Sequence, residues 1–313
     1  MLLVGSLLAA GCSGGSEEGS ADGRQRVVVD GSSTVYRISR EAQLDFQKVA
    51  PEIEVPVANH GTSGGFERYL AGEVDVIDAS RDAKPEETEQ SQSKGLEWTR
   101  FLIGYDGITV VVNPKNQFVM ALSVPQLKAL YAPESKVTHW SDLDPAWPHE
   151  KIILYAPDTS SGTFDYFTEE VVGKGIKKHR RDTQPSEDDN QLVAGVAGDD
   201  FAIGYFGFPY YKSNEKRLRA VPIRETTDSE PVEASRENII SKAYRPLARP
   251  LYIFVKNASL KRPSVAKFVK HYLDNCDRLA TKAGYVPPTE ADRLANEAAF
   301  ANASSEPATA QAQ

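Results

Sequence analysis

Three short turns rich in glycine and hydroxyl side chains, each set between an apolar strand-like run and an amphipathic helical run, constrain the fold of this chain more than any other feature. Val27-Val28-Val29 runs into Asp30-Gly31-Ser32-Ser33-Thr34, after which Val35, Ile38, Ala42, Phe46 and Val49 fall on one helical face that ends at Pro51. Ile53, Val55 and Val57 alternate as a strand, Gly61-Thr62-Ser63-Gly64-Gly65 forms a turn, and Phe66, Tyr69 and Leu70 open the next helix. The third unit runs from Ile152-Ile153-Leu154-Tyr155 through Asp158-Thr159-Ser160-Ser161-Gly162-Thr163 into a helix with Phe164, Phe167 and Val171 on its buried stripe. Further strands are predicted at residues 74–79, 108–112 and 250–255. Repeated strand–turn–helix units predict an α/β fold, and turns at the carboxyl ends of its strands line one crevice.

The turns also carry the chemistry. A helix N-terminus leaves several N–H groups unpaired and bears a partial positive charge. Glycine lets backbone approach a ligand, and Ser or Thr hydroxyls add donors without net charge, so such turns bind oxyanions readily. One of them alone reads as a plain cap. Two of the three contain a Ser-Gly pair, and together they can converge on one small anion.

At 313 residues the chain suits two α/β lobes of roughly 100 to 150 residues each. A formal charge of −8 argues against a nucleic-acid surface, which needs a basic face. Screening over about 8 to 10 Å still lets a local cluster of donors hold an anion. The opening run Leu2-Leu3-Val4-Gly5-Ser6-Leu7-Leu8-Ala9-Ala10-Gly11-Cys12 resembles a bacterial lipobox, with Cys12 as the acylated residue and residues 13–23 as a polar tether. No Lys or Arg precedes that run, which suggests a start lying further upstream. Cys276 is the other cysteine, so a CxxC site is excluded, and an acylated Cys12 leaves no intramolecular disulfide. No grouping of His, Asp and Glu has metal spacing, and no cofactor is expected.

Gly31-Ser32-Ser33-Thr34-Val35, Gly61-Thr62-Ser63-Gly64-Gly65, Asp78-Ala79-Ser80-Arg81, the segment Asp106-Gly107-Ile108-Thr109-Val110-Val111-Val112-Asn113, Ser161-Gly162-Thr163-Phe164 and Gly204-Tyr205-Phe206-Gly207 occur in order. This series resembles the phosphate-binding subunits of bacterial phosphate ABC transporters, over roughly residues 26 to 300 and in the branch with Ala-Ser-Arg. The resemblance implies a type II periplasmic-binding-protein fold, two α/β lobes joined by a hinge and closing on dehydrated inorganic phosphate. Its partners would be membrane permease subunits, with the membrane itself reached through the lipid anchor at Cys12. By motif, Ser33, Thr34, Thr62 and Ser63 would contact phosphate from one lobe and Ser161, Gly162 and Thr163 from the other. Arg81 is expected as the cationic contact. A carboxylate acceptor separates protonated phosphate from sulfate; Asp158 is the expected one and Asp189 the other candidate. The lobes are expected at residues 26–106 plus 250–302 and at 107–249, with residues 1–25 as signal and tether, 303–313 as a disordered tail, and a hinge near residues 105–107. The aromatic segment 204–211 reads as core and hinge packing.

Two other readings stay open. A receptor for sulfate, molybdate or another tetrahedral anion, or a phosphate sensor, would use the same turns. The second turn also fits the Gly-x-Ser-x-Gly of a serine hydrolase using Ser63, although His139, His149, His179 and His271 stand in no recognisable triad setting and His60 reads as an exposed turn residue.

Overall fold

The computed structural model describes residues 25–305 apart from 160, 177 and 187, so the expectation for Cys12 falls outside the described residues. Strand β1 (Val29–Gly31) feeds helix α1 (Ser33–Phe46), whose N-cap Ser32 accepts from the Val35 N–H and whose Val35, Ile38, Ala42 and Phe46 are buried. Helix α2 (Gly61–Leu70) leads to β2 (Val76–Ala79), and α3 (Pro85–Ser93) leads to the long strand β3 (Trp98–Val112). Then come β4 (Ile153–Pro157), α4 (Gly162–Phe167), β5 (Gln184–Ser186), α5 (Asp189–Gly198) and β6 (Ala202–Gly207). The return strand β7 (Ala248–Lys256) is followed by α6 (Pro263–Asp274) and α7 (Glu290–Ser305).

The main sheet has the order β1-β2-β7-β3-β6-β4-β5, with the short strand Arg219–Ala220 on β3. Strand β3 belongs to both lobes. Its first part pairs antiparallel with β7, from Trp98 opposite Lys256 to Gly107 opposite Ala248, and its second part pairs with β6, from Ile108 opposite Gly207 to Val112 opposite Ile203. Two cores flank this change of partner. One gathers Val29, Ile38, Phe46, Ile103, Ile253 and Phe268; the other gathers Ile108, Val110, Leu130, Trp140, Phe167 and Tyr205. A second segment also reaches across: Tyr105 and Val286 exchange backbone hydrogen bonds of 2.8 and 2.9 Å, and the Val286 side chain packs in the second core.

Several local expectations change. Helix α2 starts at Gly61, so the expected turn is its first turn. Packing of Phe66 and Tyr69 with Ile77 and Phe254 outweighs the low helix propensity of Gly64 and Gly65. Only Ile53–Glu54 of the second strand forms a ladder, with Val57 bridging to Val29. Helix α7 continues to Ser305, where a tail was expected from residue 303, because Ala303 and Phe300 pack on the first core. The segment Gly204-Tyr205-Phe206-Gly207 lies buried in β6.

Asp78 in β2 is fully buried and accepts from the Ser39 hydroxyl at 2.7 Å. Burial pushes its carboxyl from 3.8 up to about 8, against the Ser39 hydrogen bond. The folded chain therefore holds one proton more than the unfolded chain between about pH 4 and 8, so this group's stabilisation is complete below about pH 4 and is lost as pH rises through about 8. Asp78→Asn, which keeps the acceptor and cannot ionise, should flatten the fall in stability between pH 5 and 8 by up to about 1.4 kcal/mol per pH unit. Denaturant midpoints of the two proteins across that range measure it.

Candidate functional site

Strands β1 and β2 are parallel, with Gly31 opposite Asp78, so both deliver their carboxyl ends, and the turns that follow, to one edge of the sheet. Strand β7 runs antiparallel to β2, so its first residues arrive at the same edge. A cavity of about 740 Å³ opens there between the lobes. The first-lobe wall carries Ser33, Thr34, Thr62, Ser63, Ser80 and Arg81, and β7 adds Arg249. Asp165, Tyr166, Glu169 and Glu170 stand on the second-lobe wall.

Arg249 is the better buried of the two arginines named, its side chain 13% exposed against 31% for Arg81. It donates to Thr34 Oγ1 at 2.6 Å, to Ser80 Oγ at 3.2 Å and to Asp106 Oδ2 at 3.2 Å, and lies 3.5 Å over the Tyr166 ring. Arg81 presents its fork to Glu87, at 2.7 and 2.8 Å, and reaches Ser63 Oγ at 3.0 Å. Asp82, which follows it, offers only a backbone carbonyl to Arg81. Ser80 N–H donates to Thr62 Oγ1 at 3.2 Å, tying the second turn to the end of β2.

The third turn meets the first. A Cβ added to Gly162 would lie 3.0 Å from both Cα and Oγ1 of Thr34, so a side chain here would press the two helix starts apart by a few tenths of an ångström. Ser161 is the N-cap of α4, accepting from the Thr163 N–H at 3.2 Å, and both residues are buried. Ser161, Gly162 and Thr163 thus stand behind the cavity wall, while Ser33, Thr34, Thr62, Ser63 and Arg81 line it.

The two carboxylates expected as acceptors lie off the cavity wall. Asp158 is not among the lining residues; its backbone carbonyl accepts from Ser161 N–H and its N–H donates to Ser186. Asp189 sits in the first turn of α5, also off the cavity wall, where burial raises its carboxyl to about 6. Asp165 occupies the wall instead, and its Oδ2 accepts from Ser33 Oγ of the opposite lobe at 3.3 Å. Its place follows from α4, which points its first turn at α1. Beside it, burial and then Glu169 push the Glu170 carboxyl up.

A buried carboxylate braces the first two turns. Asp30 accepts from Gly31 N–H at 2.7 Å, from His60 N–H at 3.0 Å, from the His60 ring at 2.7 Å and from Arg68. Burial works against its charge, yet the His60 and Arg68 hydrogen bonds prevail and hold it below the ordinary carboxylate range. His60 is therefore an exposed ring with one anchored nitrogen. Ser63 is the third residue of α2 and accepts from Arg81, and no histidine among the described residues hydrogen-bonds it, so the nucleophile-elbow arrangement is not formed.

Arg249, Asp165, Tyr166 and Asp106 escape a motif search based on turns. The available signal for Arg249 was a lone cation inside the apolar run from Leu247 to Val255. For Asp165 it was a carboxylate in the first turn of the helix that begins at the Ser161-Gly162 pair.

Residues 16–275 match the family model described as a PBP superfamily domain. Protein SphX of Synechococcus elongatus is 40% identical over 273 residues, which cover 87% of this chain and 80% of that protein. The phosphate-binding protein PstS of Staphylococcus saprophyticus is 36% identical over 282 residues, covering 90% and 86%. The crystal structure of a possible phosphate binding protein from Planctomyces limnophilus superposes with a TM-score of 0.86 at 39% identity, covering 90% of this chain and 99% of that one.

Proposed function

Because this chain belongs to the PBP superfamily, as a relative of the PstS phosphate-binding proteins with the type II periplasmic-binding-protein fold, we propose that it captures inorganic phosphate between its lobes and delivers it to an ABC importer. One observation carries this reading: hydroxyls and helix N-termini from two separate turns, with Arg81 and Arg249 beside them, face a single interlobe cavity. Each unpaired helix-start N–H and hydroxyl donates toward an anion, and the guanidinium groups supply charge-assisted donors. In this reading the chain holds a substrate for a transporter, a task for which the cleft needs no reacting group.

Within the reading, Ser33, Thr34, Thr62 and Ser63 supply donors, and Arg249 and Arg81 supply cationic contacts. Gly162 and its neighbours form the support on which the first turn rests and lend backbone N–H groups on closure. Asp165 accepts a hydrogen bond from the protonated oxygen of the bound phosphate, the role sought in Asp158. We set the lobe boundaries near residues 106 and 250, a reading that the change of partner along β3 supports. A superfamily of periplasmic receptors works outside the inner membrane; lipid attachment at Cys12 and docking on permease subunits are the finer parts of the proposal.

Competition measured by calorimetry tests the ligand. Phosphate and arsenate should displace one another stoichiometrically, with sulfate and molybdate far weaker. In Asp165→Asn, whose amide can donate to an unprotonated oxygen, the preference for phosphate over sulfate should shrink by about tenfold or more. Tight sulfate binding by the unaltered chain, or unchanged selectivity in the variant, would count against the respective assignments.

A further inference from the structure

Arg249 and Asp106 stand directly opposite each other in the ladder between β7 and β3. One step further along, Gly107 is the last β3 residue paired with β7, and Ile108 already faces Gly207 of β6. The pair therefore sits at the point where the chain passes from one lobe to the other. Asp106 is 1% exposed, and its Oδ2 accepts from both Nε (3.3 Å) and Nη2 (3.2 Å) of Arg249. Its other oxygen, Oδ1, is buried without a partner among the described residues. A carboxylate that holds a guanidinium through one oxygen has a second arrangement open to it, the two-oxygen fork.

The same guanidinium touches Thr34 and Ser80 of the first lobe and the Tyr166 ring of the second. An anion entering the cavity competes with Thr34 and Ser80 for those N–H groups, while Asp106 keeps its hold from behind. Ligand contact at the front of Arg249 is thus transmitted to the strand on which the lobes turn.

We propose that Asp106 is a positioning residue for the anion site, seating Arg249 at the hinge so that occupancy of the cleft and the angle between the lobes are coupled through this pair. The inference rests on the phosphate-receptor reading above. Lobe closure re-seats the guanidinium on Asp106, and the unused Oδ1 gives the second seat.

Phosphate titration of the full chain by calorimetry, paired with X-ray solution scattering with and without saturating phosphate, tests it. Asp106→Asn should bind phosphate about thirtyfold more weakly. At saturation it should still show a smaller contraction in radius of gyration than the unaltered chain. Placed in an Arg249→Lys background, Asp106→Asn should add less than about twofold, because both changes remove one interaction. Full contraction of Asp106→Asn, or an undiminished loss in the Arg249→Lys background, overturns the coupling. Arg249→Lys alone keeps the charge and gives up the fork, so it reads the same coupling should Asp106→Asn fail to fold, and full contraction there overturns it equally. If the unaltered chain binds no phosphate, the receptor reading falls and takes this inference with it; if it binds and contracts and the variants match it, only the coupling falls.

Discussion

Arg249→Ala is expected to weaken phosphate binding by about a hundredfold or more, and Arg81→Ala by about tenfold. The difference follows from where each guanidinium stands. Arg249 is the more buried, reaches the first turn and the end of β2, and rests on the second lobe's Tyr166, so its loss strips donors from the cavity and leaves Asp106 as an unpaired buried carboxylate. Arg81 has already given its fork to Glu87 and offers the cavity what remains near Ser63. Calorimetric Kd values for the two variants measure the contrast, with circular dichroism confirming that each is folded. Equal losses would return Arg81 to the central role expected of it from the Ala-Ser-Arg motif.

Gly31→Ala is expected to destabilise the fold by about 3 kcal/mol or more, enough to leave little native protein in a marginally stable lobe. Gly31 has φ +146°, and a Cβ built on it would lie 2.1 Å from the Asp78 carbonyl oxygen, which belongs to the backbone of the neighbouring parallel strand. Neither strand can yield without breaking the ladder that carries the first turn to the cavity edge. Gly72 is the comparison: its φ is +83°, but nothing lies within 4 Å of its added Cβ. Gly72→Ala should cost about 1 kcal/mol, from backbone conformation alone. Urea midpoints separate the two, and a Gly31→Ala protein as stable as Gly72→Ala would show that the sheet edge is looser than this packing implies.

The turns and the α/β class were legible because they are local. Ser32 and Ser161 cap helices within a few residues of themselves, and the stripe from Val35 to Phe46 announces α1 by spacing alone. The turn hydroxyls that line the cavity were legible for the same reason, since Ser33 and Thr34 come directly after β1 and Thr62 and Ser63 open α2. What sequence hid is the pairing between distant segments. Arg249 reaches the site because β7 is antiparallel to β2 and β3, a register set across more than a hundred residues and invisible in either segment alone. Asp165 faces Ser33 only because α4 and α1 meet end to end at Gly162. Asp158 belongs to the turn itself, yet its backbone N–H bonds Ser186 of β5 and it is not among the residues lining the cavity. The first part of β3 escaped notice because Thr99, Arg100 and Gly104 interrupt its apolar pattern, although β7 pairs with it throughout. Asp78 gave no signal either, since a carboxyl buried beside Ser39 looks in sequence like any polar residue at the end of a strand.

A crystal grown with phosphate tests the arrangement most directly, through the difference density in the interlobe cavity. One tetrahedral feature within hydrogen-bonding distance of Thr34, Ser63 and Arg249, at full occupancy and with Asp165 against one of its oxygens, is the predicted result. Stoichiometric phosphate binding in solution, with density for the ion elsewhere on the chain or touching only one lobe, would contradict it.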